Sequence, residues 1–333
     1  MATEQLFGIA DFARSYISDI THHEEVHTEH LAESLRSFFG LPPFPTLTDL
    51  TQLCRKLGVA VKKLPSVPGM DGANIWAETT GPEIYLSDDL KVMRAETTIC
   101  HEIREVIENA FKRCKPSYVG LDTSHNKVMN IESDHFAGCL LMQADASRRL
   151  LVSLGFDLVR FSRETGRSLP SVVLRLQSLY SLASGETEPH AGVWLFEAAW
   201  PAVQAGHVDA SLLHAKYQAQ MCGFSLRKTS SQRSMVARGS FPRKGTCLAD
   251  FGLGRVSLED HEPIMEDLTG FDIFTEHDYI VVVEPIYYRT TPWRLLALAI
   301  RKDGVQMFDE WLHRLNISAV IRGFQTTEIS GAL

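Results

Sequence analysis

Several things are scarce in this chain, and each scarcity narrows what it can be. Among 333 residues there are six cysteines, Cys54, Cys100, Cys114, Cys139, Cys222 and Cys247, scattered without a Cys-x-x-Cys pair. That spacing speaks against a disulfide framework and for buried thiols in a reducing compartment. Cys100 stands beside His101, where a thiol can respond to oxidants or act as a stray ligand, although a free Cys is ordinarily a small buried hydrophobe. No apolar run of eighteen residues occurs, and Met1 to Ala10 holds Glu4 and no basic residue, so neither a membrane span nor a signal peptide is expected. The expected location is the cytoplasm. Basic residues are outnumbered, 33 Lys and Arg against 41 Asp and Glu, and the net charge of -8 gives no bulk attraction to nucleic acid or anionic membrane. Asp250-Phe251-Gly252-Leu253-Gly254 lacks an accompanying Gly-rich loop ending in Lys-Ser/Thr, so it reads as a turn and not as kinase or phosphate-loop chemistry.

What is present is 44% hydrophobic residues in a chain long enough for two or three cores. The stretch that organises it is Thr97 to Glu108, an amphipathic helix pattern in which Ile99, Ile103, Val106 and Ile107 recur at spacings of three and four. The same turn gathers His101, Glu102 and Glu105. Residues i and i+4 on one helix face can both reach a metal, and a Glu after the first ligand can address a metal-bound water. The usual motif is His-Glu-x-x-His; here Glu105 takes the fifth position. On this pattern His101 and Glu105 are the candidate metal ligands and Glu102 the candidate general base.

Glu83-Ile84-Tyr85-Leu86-Ser87 precedes this helix as a strand, and Phe136-Ala137-Gly138-Cys139-Leu140-Leu141-Met142 follows as a second helix. The arrangement resembles the ImmA/IrrE family of metallopeptidases, over roughly residues 45 to 185. The resemblance implies a zincin-like domain with a divalent metal, zinc by family habit. A carboxylate in place of the second imidazole would shift preference toward Mn or Mg and acidify bound water less. The family's third ligand falls six residues before Phe136, at Asn130; Glu132 is chosen here instead, with Asn130 as N-cap of a helix from Ile131, and Asp134 as a further candidate. Two residues turn about 200° around a helix, so this is no simple slide. The strand before the metal helix is expected to serve as a rail for extended substrate, through Ile84, Tyr85 and Leu86.

Around this centre, residues 1–44 read as an N-terminal helical segment, residues 45–145 as the zincin-like domain, 146–185 as a helix-turn-helix-like segment and 190–333 as a C-terminal α+β domain. His23, His27 and His30 fall at helical spacing and read as a solvated face before a metal or pH-sensitive patch. Thr48 or Asp49 is expected to cap a helix that Gly58 ends, and Ser87-Asp88-Asp89 to cap the central helix. Helices are expected over 144–154, 157–165 and 170–182, with Ser168 as a cap, and the arginines Arg148, Arg149, Arg160, Arg163, Arg167 and Arg175 would suit weak DNA binding. Beyond the breaker-rich 183–189, strands are expected at 193–196, 279–284 and 295–300, with helices at 210–222 and 308–315. In the radiation-response members of the family this region is GAF-like, which implies a sensor.

The resemblance implies a metal-dependent endopeptidase that cleaves a helix-turn-helix repressor and so releases stress-response or mobile-element genes. The rival is a non-catalytic regulator on the same scaffold that binds a transcription factor or DNA.

Overall fold

Helix α3 (Leu47–Leu57) shows how local chemistry sets the frame. Thr46 is its N-cap, in a capping box with Asp49, and Gly58 closes it in the left-handed conformation at φ 73°. Thr46, not Thr48 or Asp49, is therefore the cap; Asp49 is the reciprocal partner three residues on. The computed structural model describes residues 8–19, 28–77, 81–115, 118, 126–180, 191–206, 214–221, 264–267, 279–288 and 291–301.

The chain divides into two compact units, Met1–Ser147 and Arg148–Leu333. In the first, α1 (Ile9–Asp19), α2 (Thr28–Phe39) and α3 lead into β1 (Ala60–Leu64), β2 (Gly72–Ala77) and β3 (Gly81–Ser87). Helices α4 (Val92–Cys114) and α5 (Asn126–Leu141) follow. Phe12 and Tyr16 of α1, Leu31 and Leu35 of α2, and Ile99, Ile103 and Phe111 of α4 share one core, with Tyr16 stacked on Phe111 at 5.5 Å. The N-terminal helices are thus part of this core and not a separate segment, because the apolar stripe of α1 is buried against α4 and that of α2 against α5. Inside it Arg104 pairs with Glu108 at 2.9 Å, both side chains almost fully buried.

The sheet order is β1-β3-β2, with β1 parallel and β2 antiparallel to β3. Ile75-Trp76-Ala77 and Glu83-Ile84-Tyr85-Leu86, which in sequence read as a hairpin across the breakers Gly81-Pro82, do pair antiparallel as β2 and β3. Strand β3 is not the expected substrate rail: it is the middle strand, its backbone engaged on both sides. Ile84 and Leu86 are buried core residues, while the Tyr85 hydroxyl donates to Glu83. A two-sided strand has no free edge to offer a peptide. Asp89 accepts from the hydroxyls of Ser87 and Ser66 rather than capping α4, whose N-cap, Lys91, makes no side-chain capping bond.

The boundary between the units falls within α6 (Ala144–Ser153). The second unit continues with α7 (Leu158–Thr165), capped by Asp157 and closed by Gly166, and α8 (Leu169–Leu179), capped by Ser168 as expected. Then come β4 (Ala191–Glu197), α9 (Trp200–Ala205), β5 (His214–Met221), β6 (Ile264–Asp267), β7 (Tyr279–Tyr288) and β8 (Thr291–Arg301). The strands form one antiparallel sheet in the order β5-β4-β8-β7-β6. Helix α8 packs on β5 and β4, so the helix-turn-helix-like segment belongs with the C-terminal sheet instead of forming a domain of its own. The segment 210–222 is a correction: residues 214–221 are a strand, because pairing with β4 overrides the helical leaning of Ala and Gln. Residues 308–315, 250–254, His23 and His27 lie outside the described residues. The architecture is α+β in both units.

Candidate functional site

Strand β2 meets α4 closely enough that a Cβ on Gly72 would stand 2.5 Å from Thr98 Cγ2 and 2.9 Å from the Tyr85 carbonyl oxygen. Only glycine fits there. Two residues on, hence on the same face of the strand, Asn74 reaches the acidic residues of α4. Its Nδ2 donates to Glu102 Oε2 at 2.6 Å and to Glu105 Oε2 at 2.7 Å. One amide therefore spans the candidate base and the candidate ligand. Asn74 was not foreseen, although Gly72-Ala73-Asn74 in a strand facing an acidic helix is a readable signal.

His101 lies between two carboxylates. Its Nε2 is 3.4 Å from Glu105 Oε1 and its Nδ1 is 2.9 Å from Asp134 Oδ1. Burial alone would lower the imidazole pKa, but the hydrogen bonds to Asp134 and Glu105 and the charge of Glu102 outweigh it and raise it to about 10. The ring is an imidazolium at neutral pH. Burial pushes the Glu102 carboxyl up, with the Glu105 charge adding to it and the Asn74 bond opposing it. Glu105 is held down, first by its bond to His101. Two neighbouring carboxylates are thus pushed apart in acidity, a pattern that acid and base pairs share.

Glu132 is a correction. Helix α5 begins at Asn126, so Asn130 lies inside it and caps nothing. Asp134 then faces α4, and Glu132, about 200° around the helix from it, faces α2. There Glu132 Oε2 accepts from Thr28 Oγ1 at 2.7 Å. Asn130, one turn before Asp134, is exposed.

Does this set fit a metal? The 3.4 Å between His101 Nε2 and Glu105 Oε1 suits a shared ion, since ligand atoms on a tetrahedral ion with bonds of about 2.0–2.1 Å stand about 3.3–3.4 Å apart. No third His, Cys, Asp or Glu joins them among the described residues, where Glu29, His135 and Cys139 are the group of three with metal-capable atoms gathered together. Asp134 sits on the other ring nitrogen, where an orienting carboxylate belongs and not a ligand. The His101 site is two-thirds of a zincin set. The Glu29, His135 and Cys139 group was missed; its readable part is His135 and Cys139 four apart on one helix, while Glu29 comes from α2.

The arginine-rich helices offer little to DNA. Arg167 and Arg175 are buried, Arg148 donates to the Leu179 carbonyl, and Arg160 pairs with Glu164 at 2.8 Å. Arg149 and Arg163 remain exposed, and the solvent side of α8 carries Pro170, Ser171, Leu174, Gln177 and Ser178, with no charge for phosphate. Among the described residues no helix is long and apolar enough to cross a membrane.

No protein-family model matches this chain, and no curated protein sequence does. Among solved structures it is similar to a Mycobacterium tuberculosis transcriptional regulator, with a TM-score of 0.52 and 14% identity over 90% of this chain and 81% of that one. At that identity the likeness concerns the fold.

Proposed function

We propose that this chain is a transcription regulator that works by binding a transcription factor on a peptidase-like scaffold, without cutting it. The observation that carries this reading is that no third His, Cys, Asp or Glu joins His101 and Glu105 among the described residues. Both ring nitrogens face carboxylates, and Glu102 is held by Asn74. A general base must be free to take a proton from water, and a hydrolytic metal must keep an open position beside three protein ligands. The similar mycobacterial chain is described as a transcriptional regulator, which accords with this reading.

The contact with a partner would run along β2. This strand has a strand neighbour on one side, among the described residues, and exposes Ile75. It carries none of the lysines that guard the opposite edge strand β1 at Lys62 and Lys63. An extended segment of the partner would add to that edge through backbone hydrogen bonds. The second unit, a five-stranded antiparallel sheet packed against α8, would be the GAF-like part that receives the signal.

The His101 and Glu105 spacing supports a second reading, the metal-dependent endopeptidase that cleaves a helix-turn-helix repressor. Glu102→Gln separates the two. In cells carrying it, the binding reading expects an unchanged transcriptional response and no shift in the length of the bound transcription factor. Loss of the response together with accumulation of an uncut factor would establish the hydrolase.

A further inference from the structure

The geometry points to a Zn2+ site between α2 and α5, made by Glu29, His135 and Cys139 and separate from the His101 network. One carboxylate oxygen, one ring nitrogen and the thiol sulfur of these three lie within 4.8 Å of one another. Cys139 Sγ already approaches Glu29 Oε2 at 3.1 Å. His135 and Cys139 are four residues apart on α5 and project from one face, while Glu29 comes from the first turn of α2. Carboxylate, imidazole and thiolate together are a borderline-soft set that selects Zn2+ over Mg2+ or Ca2+. Cys139 is fully buried and Glu29 and His135 half-buried, unlike the solvated acidic clusters that gather at surfaces without an ion.

A second observation concerns a further carboxylate on the same face of α2. Glu33 follows Glu29 by one helical turn, and its Oε1 is buried without a hydrogen-bond partner among the described residues. Its Oε2 is 3.8 Å from Arg36 Nε, and Arg36 Nη2 donates to the carbonyls of Cys139 and Leu140. Glu33 therefore sits beside the end of α5 that carries the thiol. The charges balance: Zn2+ with Glu29, Glu33, the Cys139 thiolate and the Arg36 guanidinium sums to zero. Binding costs one proton, released from the Cys139 thiol to solvent as the sulfur–metal bond forms. The ion would clamp α2 to α5, the helix whose Asp134 holds His101. It would thereby couple zinc supply to the geometry of the other site.

Titration of the reduced, metal-free full chain with Co2+ tests this, because a thiolate ligand gives an intense near-ultraviolet charge-transfer band that oxygen and nitrogen ligands do not. One equivalent of Co2+ should raise the band, and Zn2+ should abolish it by displacement. Cys139→Ser should remove the band, and Glu29→Gln or His135→Gln should weaken binding by roughly 100-fold, since each ligand carries its share of the binding free energy. The last two variants keep the thiol and serve if Cys139→Ser does not fold. His101→Gln and Glu105→Gln should leave the band unchanged. A band that survives Cys139→Ser, or is insensitive to both Glu29→Gln and His135→Gln, or fails to form with the wild-type chain, overturns the proposal.

Discussion

Helix α5 carries a polar group on each of two sides, and their difference is instructive. Toward α4 it presents Asp134, which completes a hydrogen-bonded network of His101, Glu105, Glu102 and Asn74. Toward α2 it presents His135 and Cys139, which with Glu29 form a set of mixed ligand types gathered around a common point. The first side carries a recognisable sequence motif, and its groups hydrogen-bond one another. The second carries no motif and is chemically suited to a cation. Spacing along one helix tells which side chains share a face; what stands opposite decides whether that face binds, catalyses or merely pairs.

Gly72→Ala should break the first side most severely and leave the second alone. The added methyl must displace Thr98 or push β2 from the β3 backbone, an overpacking cost of about 1–3 kcal/mol. A shifted denaturation midpoint with unchanged Co2+ binding at Cys139 is the expected result; an unshifted midpoint would mean that β2 does not lie against α4 as described. Asn74→Ala comes next. It leaves Glu102 and Glu105 without their common donor, which costs about 1–2 kcal/mol and drives the buried Glu102 carboxyl further up. Carboxyl titration by NMR would show the rise, and a Glu102 titration identical to the wild type would count against the shared-donor arrangement.

Asp134→Asn probes the same network through pH. The folded-state pKa of His101 is raised from 6.5 to about 10, so the stabilisation it contributes is full below the unfolded value and is lost as pH rises through about 10. Removing the Asp134 charge shrinks that contribution. The stability gap between wild type and Asp134→Asn should be widest near pH 6 and close toward pH 10. Because the Asp134 side chain is 71% exposed, solvent screening keeps the gap within about 0.2–1 kcal/mol. A gap that stays constant across this range would show that His101 is not the titrating group.

These outcomes bear on how much was legible beforehand. The hairpin of β2 and β3, the stops at Gly58 and Gly166, and the acidic turn of α4 were legible because short-range patterns and φ preferences encode them. The middle position of β3 was not, since β1 reaches it by a parallel, non-local pairing that alternation along a strand does not reveal. Strand β5 was hidden in the same way, its Ala and Gln residues reading as helix until β4 pairs with them. At the candidate site, His101, Glu102 and Glu105 were placed by helical spacing, whereas Asn74 and Asp134 depend on how β2 and α5 dock on α4. The error at Glu132 has the same source. With α5 starting at Asn126, one further turn of helix fixes which acidic residue faces which neighbour.

Glu132→Gln is the mildest change and the one that separates the two sides of α5 most cleanly. The Thr28 hydroxyl donates to Glu132, and an amide oxygen accepts that bond almost as well, so the stability change should be about 0.5 kcal/mol or less. If Glu132 were the third member of a metal set with His101 and Glu105, the same substitution would lower the metal content of a Cys139→Ser background chain exposed to Zn2+ or Mn2+. The expected metal content is unchanged, because the carboxylate is turned toward α2, about 200° around the helix from the Asp134 face. A loss of bound metal on Glu132→Gln would restore the zincin set and, with it, the hydrolytic reading of residue Glu102.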